Sequence, residues 1–345
     1  MPSIVLSVFS FGISFLTVNL IRQRFRQSLL DIPNERSSHT QPTPRGGGLG
    51  FIIAFAITSA TAMGNNYFHL FADIPLNLNL AIVWLILIPL AIVGIIDDRS
   101  NVPAGIRYLV QLAAAGFAVT YFGAFPQPWL SQFGVVGGIV AIVLTAIGMT
   151  AIVNFYNFMD GLDGIVAGTS AIQLGFFAFY LNQPLLWFLV AALVGFLWWN
   201  WSPAKIFMGD AGSTVLGAIV AIALLNAGDS AVQAWSALVV TFPLIGDAIY
   251  TIVRRLLRKE NIFQAHRSHL YQRLQQSGWS HGRVAATYMG ITLAIALVIG
   301  LYGSKGAIVG AIGTVALGVG AEVYLRSRLH APQLTTTASV LGKGE

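Results

Sequence analysis

The sequence predicts an all-α integral membrane protein. Of its 345 residues, 56% are hydrophobic and only 9% are charged, and the mean hydropathy is +0.73. Apolar runs of about 20 residues, the length at which a helix crosses a bilayer, recur along the chain. We therefore expect about eleven transmembrane helices in a single domain over residues 1–325, followed by a polar tail over 326–345 that we expect to be disordered.

Each expected helix coincides with one apolar run between polar, charged or proline-containing segments. The first run is followed by Arg22, Arg24 and Arg26 and has no basic residue before it, which argues against a cleaved signal peptide. The sixth and seventh runs are joined around Gln183-Pro184 by so short a linker that they must form a tight hairpin. In chain order, the expected helices span 2–21, 47–64, 78–96, 106–123, 134–153, 165–181, 185–201, 213–227, 232–253, 284–302 and 306–325.

The basic residues predict the orientation of these helices. Lys and Arg accumulate in cytoplasmic loops. Of the 19 in this chain, only Lys305 falls outside the alternate loops that follow helices one, three, five, seven and nine and the C-terminal tail. The N-terminus is therefore expected outside and the C-terminus in the cytoplasm. The formal charge of +6 then reflects this topology and contact with anionic lipid headgroups, and does not indicate nucleic-acid binding.

Five aspartates gather in three of the loops that the charge pattern places in the cytoplasm. Two end the third expected helix, two follow the fifth and one follows the seventh: Asp97 and Asp98, Asp160 and Asp163, and Asp210. Adjacent carboxylates repel one another, so such a cluster is best tolerated around a divalent cation or a polyphosphate that the cation holds. Oxygen ligands in a chain without cysteine favour magnesium or manganese. Helix capping explains any one of these aspartates, but it explains three loops together less well.

Neutral amides and an aromatic side chain accompany the aspartates. Asn154 and Asn157 precede the second acidic pair, and Asn200 lies at the end of the seventh expected helix. Amides bind magnesium through oxygen, or read the edge of a nucleobase, without adding negative charge; backbone capping is the simpler alternative for each. Phe207 can stack on a base or anchor the chain at the membrane interface.

Two further loops carry positive charge. The first holds Arg45 before the glycines at 46–48. Glycine lets the backbone approach an anion and arginine offers a planar fork to phosphate, although a flexible turn also explains the glycines. The longest loop holds His266 and His269, which on a helix would share a face with Arg273 and could grip a diphosphate or a sugar. Contact with lipid headgroups is the simpler alternative there.

Taken together and in this order, these motifs resemble those of the polyprenyl-phosphate N-acetylhexosamine-1-phosphate transferases. That family includes the phospho-MurNAc-pentapeptide translocases and the enzymes that start O-antigen and teichoic acid synthesis. The resemblance implies transfer of a sugar 1-phosphate from a UDP-N-acetylhexosamine to undecaprenyl phosphate with release of UMP, in a bacterial inner membrane and with the active site facing the cytoplasm. The matching segments are Pro42-Thr-Pro-Arg-Gly-Gly-Gly48, Asp97-Asp98, Asn154 to Gly164, Asn200 with Pro203 to Asp210, and His266 to His269.

The resemblance also implies a role for each motif. Asp210, with Asn157 as a second ligand, would bind Mg²⁺ or Mn²⁺. Asp97 or Asp98 would act as the base or orient the lipid phosphate. Arg45 is our candidate for binding phosphate. The nucleotide and the sugar would be held by Asp160, Asp163, Asn200, Phe207, His266, Arg267 and His269.

Departures from the translocase pattern favour the O-antigen-initiating branch. Arg267 and Ser268 separate two histidines that translocases typically have adjacent, and Thr40 and Gln41 stand where translocases usually carry a lysine. The eleventh expected helix points the same way, since translocases have ten. A translocase stays the alternative within this chemistry.

A secondary transporter is the alternative from another class. Transporters place their ion sites near the middle of the membrane and often contain internal repeats, whereas these acids gather on one face. The expected partners are thus the two substrates and the bilayer. A homodimer is compatible with the small residues of the last expected helix, which would allow close helix packing: Gly306, Gly310, Gly313 and Gly320.

Overall fold

Helix accounts for 79% of the computed structural model, as the hydropathy pattern predicts. The structure describes residues 2–26, 29–33, 38–39, 41–69, 76, 79–228, 230–262, 264 and 266–329. Residues 34–37 of the first loop and the expected tail beyond residue 329 lie outside this description. The helices are α1 Pro2–Phe25, α2 Gly48–Phe68, α3 Leu80–Ser100, α4 Ala104–Phe122, α5 Gly134–Met159, α6 Ile165–Tyr180, α7 Leu186–Asn200, α8 Asp210–Leu225, α9 Ala231–Val239, α10 Phe242–Leu257, α11 Leu270–Gln276, α12 His281–Tyr302 and α13 Ser304–Leu329.

Three short elements accompany the helices. Strands β1 (Leu30–Asp31) and β2 (Thr43–Pro44) pair antiparallel within the α1–α2 loop, and a 3₁₀ helix at Pro128–Phe133 leads into α5. The last helix continues to Leu329, so the first residues of the expected tail are helical.

Each of the eleven expected segments coincides with one helix, except that the ninth is divided between α9 and α10. Within the described part of the chain, six helices are long and apolar enough to cross a membrane: α1, α2, α3, α5, α12 and α13. The bent pair α9–α10 would make a seventh. Helices α6, α7 and α8 are apolar but only 16, 15 and 16 residues long. The structure is thus that of a polytopic all-α membrane protein.

Helix α8 lies at the centre of the bundle. It packs against α2, α3, α4, α5, α6 and α9, and every residue from Ala211 to Leu224 is buried. Such packing on all sides requires small residues at the crossings. At Gly94 of α3, a Cβ atom would lie only 2.4 Å from the Cα of Ala211. This close approach brings the acidic end of α3 against the first turn of α8.

The outer helices expose apolar side chains, as lipid contact requires. In α5, Val135, Val136 and Ile139 have more than half of their surface exposed, and only 17% of the residues in the most apolar windows of α1, α5 and α13 are buried. A hydrocarbon solvent accommodates such faces without cost.

The ninth expected helix is broken between Val239 and Phe242, where its two halves differ in direction by 73°. Pro243 stands in the first turn of α10 and removes a backbone donor there. Gln173 of α6 donates its side-chain amide to the Val240 carbonyl at 3.4 Å. A carbonyl freed by the break is therefore satisfied inside the bundle.

Candidate active site

A polar cleft of about 270 Å³ opens at one end of the bundle. Its walls come from the α1–α2, α5–α6 and α7–α8 loops and from the first residue of α12. These loops are far apart in the sequence, and the helices bring their ends together around the start of α8. Seven of the residues predicted for the site line the cleft: Arg45, Asn157, Asp160, Asp163, Asn200, Phe207 and Asp210.

The first turn of α8 is fixed by side chains from two neighbouring helices. Asp98, near the end of α3, accepts hydrogen bonds from the backbone N–H groups of Asp210 at 2.9 Å and Ala211 at 3.4 Å. These are donors that a helix start leaves without an intrahelical partner. Asn157 of α5 donates to Oδ1 of Asp210 at 2.8 Å and to Ser213 at 3.0 Å. The Asp210 carboxylate therefore has a defined direction.

Asp97 points away from the cleft. Its carboxylate is buried and accepts hydrogen bonds from the Arg107 guanidinium and from the Val102 N–H, both at 2.7 Å. It lines a separate cavity of about 20 Å³ that Asp210 also lines. The two adjacent aspartates thus differ: Arg107 neutralises Asp97, whereas Asp98 stays beside Asp210.

Negative charge exceeds positive charge around Asp160, which directly follows α5. Burial raises the pKa of its carboxyl well above the usual range, and the charges of Asp210, Asp98 and Asp163 raise it further. Arg45 opposes this effect, but its guanidinium is already paired with Asp31 at 2.8 Å. An arrangement of this kind favours the entry of a cation.

The chemistry of the cleft fits a divalent cation bound by oxygen. In the described chain, no group of three histidine, aspartate or glutamate side chains is already arranged as a metal site. The carboxylates of Asp210 and Asp160 nevertheless face a common space, and Asn157 contributes an amide. Hard oxygen ligands that leave room for water and for substrate phosphates are what Mg²⁺ prefers.

Asn200, a candidate for binding the nucleotide or the sugar, lines the cleft, but both ends of its amide already have partners within the protein. It is buried, its Oδ1 accepts from the Gly164 N–H at 3.1 Å, and its Nδ2 donates to the Ile206 carbonyl at 3.0 Å. Both ends of the amide therefore join the α5–α6 loop to the α7–α8 loop. Phe207 does line the cleft, and the ring of His39 packs edge-on against it with 4.8 Å between centroids.

The glycine run of the first loop forms backbone hydrogen bonds with the α7–α8 loop. The N–H groups of Gly47 and Gly48 donate to the carbonyls of Phe207 at 2.9 Å and Met208 at 2.8 Å. Phe207 donates in return to the Pro44 carbonyl at 2.8 Å. These backbone donors are occupied, so the positive group that this loop offers to a phosphate is the side chain of Arg45.

His266, Arg267 and His269 do not line the cleft. Helix α11 begins only at Leu270, so the two histidines precede it and do not share a helical face with Arg273. His269 is buried with its Nδ1 3.6 Å from the Asp247 carboxylate. Burial and the charges of His269 and Arg255 lower the pKa of His266 to about 4. Through α11, this segment instead brings Gln272 to the cleft wall.

Five polar cleft residues lie outside the sequence motifs: Asp31, Ser38, His39, Gln272 and His281. None of them belongs to a pattern that predicts a site. His281 lies 3.2 Å from the Asp163 carboxylate. Although burial raises the pKa of Asp163, the hydrogen bond and charge of His281 and the Ala204 N–H lower it below its usual value. Only the tertiary structure reveals this partnership.

Comparisons with known proteins identify the family of this chain. The model of glycosyl transferase family 4 matches residues 80–228, which include Asp97 to Asp210. A "Probable undecaprenyl-phosphate N-acetylglucosaminyl 1-phosphate transferase" of Bacillus subtilis strain 168 is 31% identical, covering 79% of this chain and 78% of the relative. An "Undecaprenyl-phosphate alpha-N-acetylglucosaminyl 1-phosphate transferase" of Thermotoga maritima is 30% identical, with coverages of 75% and 78%.

A third relative carries a different name. The "Phospho-N-acetylmuramoyl-pentapeptide-transferase" of Deinococcus radiodurans is 30% identical, covering 76% of this chain and 86% of the relative. All three names describe transfer of a sugar phosphate, and two of them specify a polyprenyl phosphate as acceptor. The chain therefore belongs to glycosyl transferase family 4, the family of polyprenyl-phosphate hexosamine-1-phosphate transferases, and it is a glycosyl-1-phosphate transferase enzyme.

Proposed function

We propose that this enzyme transfers N-acetylhexosamine 1-phosphate from a UDP-sugar to undecaprenyl phosphate, releases UMP, and so starts a cell-surface polysaccharide such as O-antigen. The observation that carries the proposal is the charge of the cleft. Carboxylates of Asp160 and Asp210, from separate loops, face a common space that Arg45 balances only in part. A divalent cation held by these carboxylates would supply the positive charge that a bound diphosphate needs.

In the proposed reaction, an oxygen of the lipid phosphate attacks the phosphorus atom that bears the sugar. The bond from that phosphorus to the bridging oxygen breaks, and UMP leaves with the electron pair. Asp98 is our candidate for orienting the lipid phosphate or accepting its proton, because its charge faces Asp210 and Arg45. Asp97 is the weaker candidate because Arg107 and Val102 already occupy its carboxylate.

Asp210 and Asn157 would hold the Mg²⁺ or Mn²⁺ ion, which when bound neutralises the charge of the diphosphate. The amide nitrogen of Asn157 already fixes the direction of the Asp210 carboxylate. Arg45 would contact a phosphate, and Phe207 would stack on the base, as we predict from the sequence. Asp160 and Asp163 would complete the nucleotide site from the opposite wall.

The proposal includes the full topology. All eleven expected segments would cross the membrane, with the N-terminus outside and the cleft facing the cytoplasm of a bacterium. The distribution of Lys and Arg supports this orientation. Lipid around the bundle and a second copy of the chain against α13 would be its neighbours in the membrane.

A panel of UDP-sugars tests the proposed function. Purified protein with undecaprenyl phosphate and Mg²⁺ should release UMP from one or more UDP-N-acetylhexosamines and leave UDP-MurNAc-pentapeptide unchanged. The relative from Deinococcus radiodurans makes a pentapeptide-transferase the second candidate, and UMP release from UDP-MurNAc-pentapeptide alone would establish that candidate. No UMP from any donor would contradict both.

The assignment of the metal to Asp210 gives a sharper prediction. Asp210→Asn keeps the size of the side chain but removes its charge, so UMP release should fall by roughly a hundredfold or more. The variant should elute as a monodisperse species in detergent, because the oxygen of the new amide can still accept a hydrogen bond from Asn157. A fully active variant would exclude Asp210 as a metal ligand.

A further inference from the structure

His281 bridges two walls of the cleft that are far apart in the chain. It is the first residue of α12. Its Nε2 lies 3.0 Å from the carbonyl oxygen of Ser38 in the α1–α2 loop. Its Nδ1 lies 3.2 Å from Oδ2 of Asp163 in the α5–α6 loop, and the side chain is only 15% exposed. Nothing in the reaction described above requires this residue.

The two neighbouring oxygens determine which form of the ring fits. A backbone carbonyl and a carboxylate can accept hydrogen bonds but cannot donate them. Each ring nitrogen therefore has a favourable contact only while it carries a proton. The imidazolium form, with protons on both nitrogens, donates from Nε2 to the Ser38 carbonyl and places Nδ1 in an ion pair with Asp163.

Each of the two contacts involves a residue that is linked to the proposed nucleotide site. Asp163 also accepts from the Ala204 N–H at 3.2 Å, which ties it to the α7–α8 loop. Ser38 precedes His39, whose ring packs against the edge of Phe207. The C-terminal end of the first loop is already held by the backbone hydrogen bonds of Gly47 and Gly48. His281 therefore holds this loop at a second point, near its middle.

We infer that His281 is a positioning residue for the nucleotide-sugar: by holding Ser38 and Asp163 together, it fixes the spacing between the two cleft walls that receive the nucleotide. The inference rests on the proposed function. It predicts an effect on substrate binding and a much smaller one on the chemical step, because Asp98 and Asp210 are held by contacts among α3, α5 and α8.

The test is steady-state kinetics of His281→Ala and His281→Arg with the UDP-sugar that the wild-type enzyme uses. We expect His281→Ala to raise KM for the UDP-sugar roughly tenfold or more, the loss expected for a charged hydrogen bond, with kcat within about threefold. KM for undecaprenyl phosphate should stay within about twofold. His281→Arg keeps a charged donor that can reach both oxygens, and should recover most of the lost affinity.

Arg283→Ala is the matched control, because it removes a positive charge from the same helical turn. Arg283 lies over the ring of Trp279 at 3.8 Å from its centroid, outside the cleft. The KM values of this variant should equal those of the wild type. The Kd for UMP is a second readout that measures binding without turnover. It should increase in His281→Ala and stay unchanged in Arg283→Ala.

The outcomes separate this inference from the proposed function. Absence of turnover by the wild type would overturn the proposed function. Wild-type turnover together with an unchanged KM and UMP affinity in His281→Ala would overturn the positioning role alone, and so would a fall in kcat at constant KM. If His281→Ala does not fold, His281→Gln takes its place, because it removes the positive charge beside Asp163 and carries its N–H donors on a single nitrogen. An unchanged KM in that variant would overturn the positioning role as well.

Discussion

The Asp98 carboxylate occupies the space that a Cβ atom at position 209 would need. Gly209 has a φ of +81°, and a Cβ atom there would lie 2.7 Å from Oδ2 of Asp98. We predict that Gly209→Ala displaces Asp98 from the N–H of Asp210 and lowers kcat roughly tenfold or more. UMP release and thermal unfolding of the purified variant measure the two effects.

Gly228→Ala is the control for backbone strain. Gly228 has a similar φ of +77°, but a Cβ atom there meets no other atom within 4 Å. Both variants should lose about 1 kcal/mol or more of stability through the left-handed conformation, while only Gly209→Ala loses activity. Equal activity of the two variants would show that the position of Asp98 does not matter for the reaction.

Asp160 gives the unliganded protein a pH-dependent stability. Because burial and the charges of Asp210 and Asp98 raise its pKa, the native state keeps the proton over a range in which the unfolded chain has released it. The free energy of unfolding should therefore fall as the pH rises from about 5 to 8. Asp160→Asn removes this effect and should raise the Tm at pH 8 by about 2 °C or more.

The comparison needs conditions without divalent cations, because a bound cation would stabilise the ionised carboxylate. Thermal unfolding of both proteins, followed by tryptophan fluorescence in detergent at pH 5.5 and pH 8, measures the difference. Asp98, whose pKa burial raises to about 6, titrates in the same range but does so in both proteins, so the difference between the two proteins reports on Asp160. The pKa of Asp163 is lowered, and its contribution changes only below its usual range. Parallel pH dependences of the two proteins would contradict the assignment.

Site residues that lie within a sequence motif can be predicted from the sequence. Asp160 and Asp210 could be predicted to meet, because both end up in loops on one face of a membrane protein and carboxylates gather around cations. His281 and Asp31 could not, because each depends on a partner from a distant loop or strand that no local pattern reveals. Asn200 is the opposite case. Its amide beside the aspartates made it a candidate for binding the nucleotide, but both ends of this amide form hydrogen bonds within the protein.

At the scale of single elements, α11 depends on one carboxylate. Asp247 of α10 accepts from the N–H groups of Leu270 at 2.8 Å and Tyr271 at 3.0 Å, and from the Tyr288 hydroxyl at 2.7 Å. Asp247→Ala would leave these donors buried without a partner, and should cost about 3–5 kcal/mol of stability. Hydrogen exchange of residues 266–276 should increase more than elsewhere.

The control is Thr251→Val, which removes one hydrogen bond to the same carboxylate, of 3.1 Å, and keeps the shape of the side chain. It should change exchange in α11 only slightly. If hydrogen exchange in α11 is the same in Asp247→Ala as in Thr251→Val, then α11 does not depend on the carboxylate.

The positions of the helices follow from the apolar runs, but their interruptions do not. All eleven expected segments are helical. The break between α9 and α10 lies next to Pro243, inside a run that the hydropathy pattern predicts as one helix. Gln173 from α6 satisfies a carbonyl at the break, a contact that sequence periodicity cannot show. The start of α11 cannot be predicted from a sequence pattern either, because Asp247 of α10 stabilises it through hydrogen bonds to the first two N–H groups of the helix.

At the scale of the whole molecule, the absence of cysteine makes the orientation directly measurable. Single cysteines at Lys305 and at Arg258 should react with a membrane-impermeant maleimide from opposite sides of the membrane. We predict labelling of Arg258→Cys in sealed inverted vesicles and of Lys305→Cys in intact spheroplasts. Labelling of both from the same side would contradict the proposed topology.

The three short helices around the cleft also affect the membrane. A helix of 16 residues, such as α8, rises about 24 Å, several ångströms less than the hydrocarbon core of a bilayer of about 30 Å. In the topology that we propose, the central part of the bundle would be thinner than the lipid that surrounds α1, α5 and α13. This mismatch would place the cleft closer to the depth of the lipid phosphates. A phosphate attached to an insoluble chain could then meet a nucleotide dissolved in water without leaving its own layer.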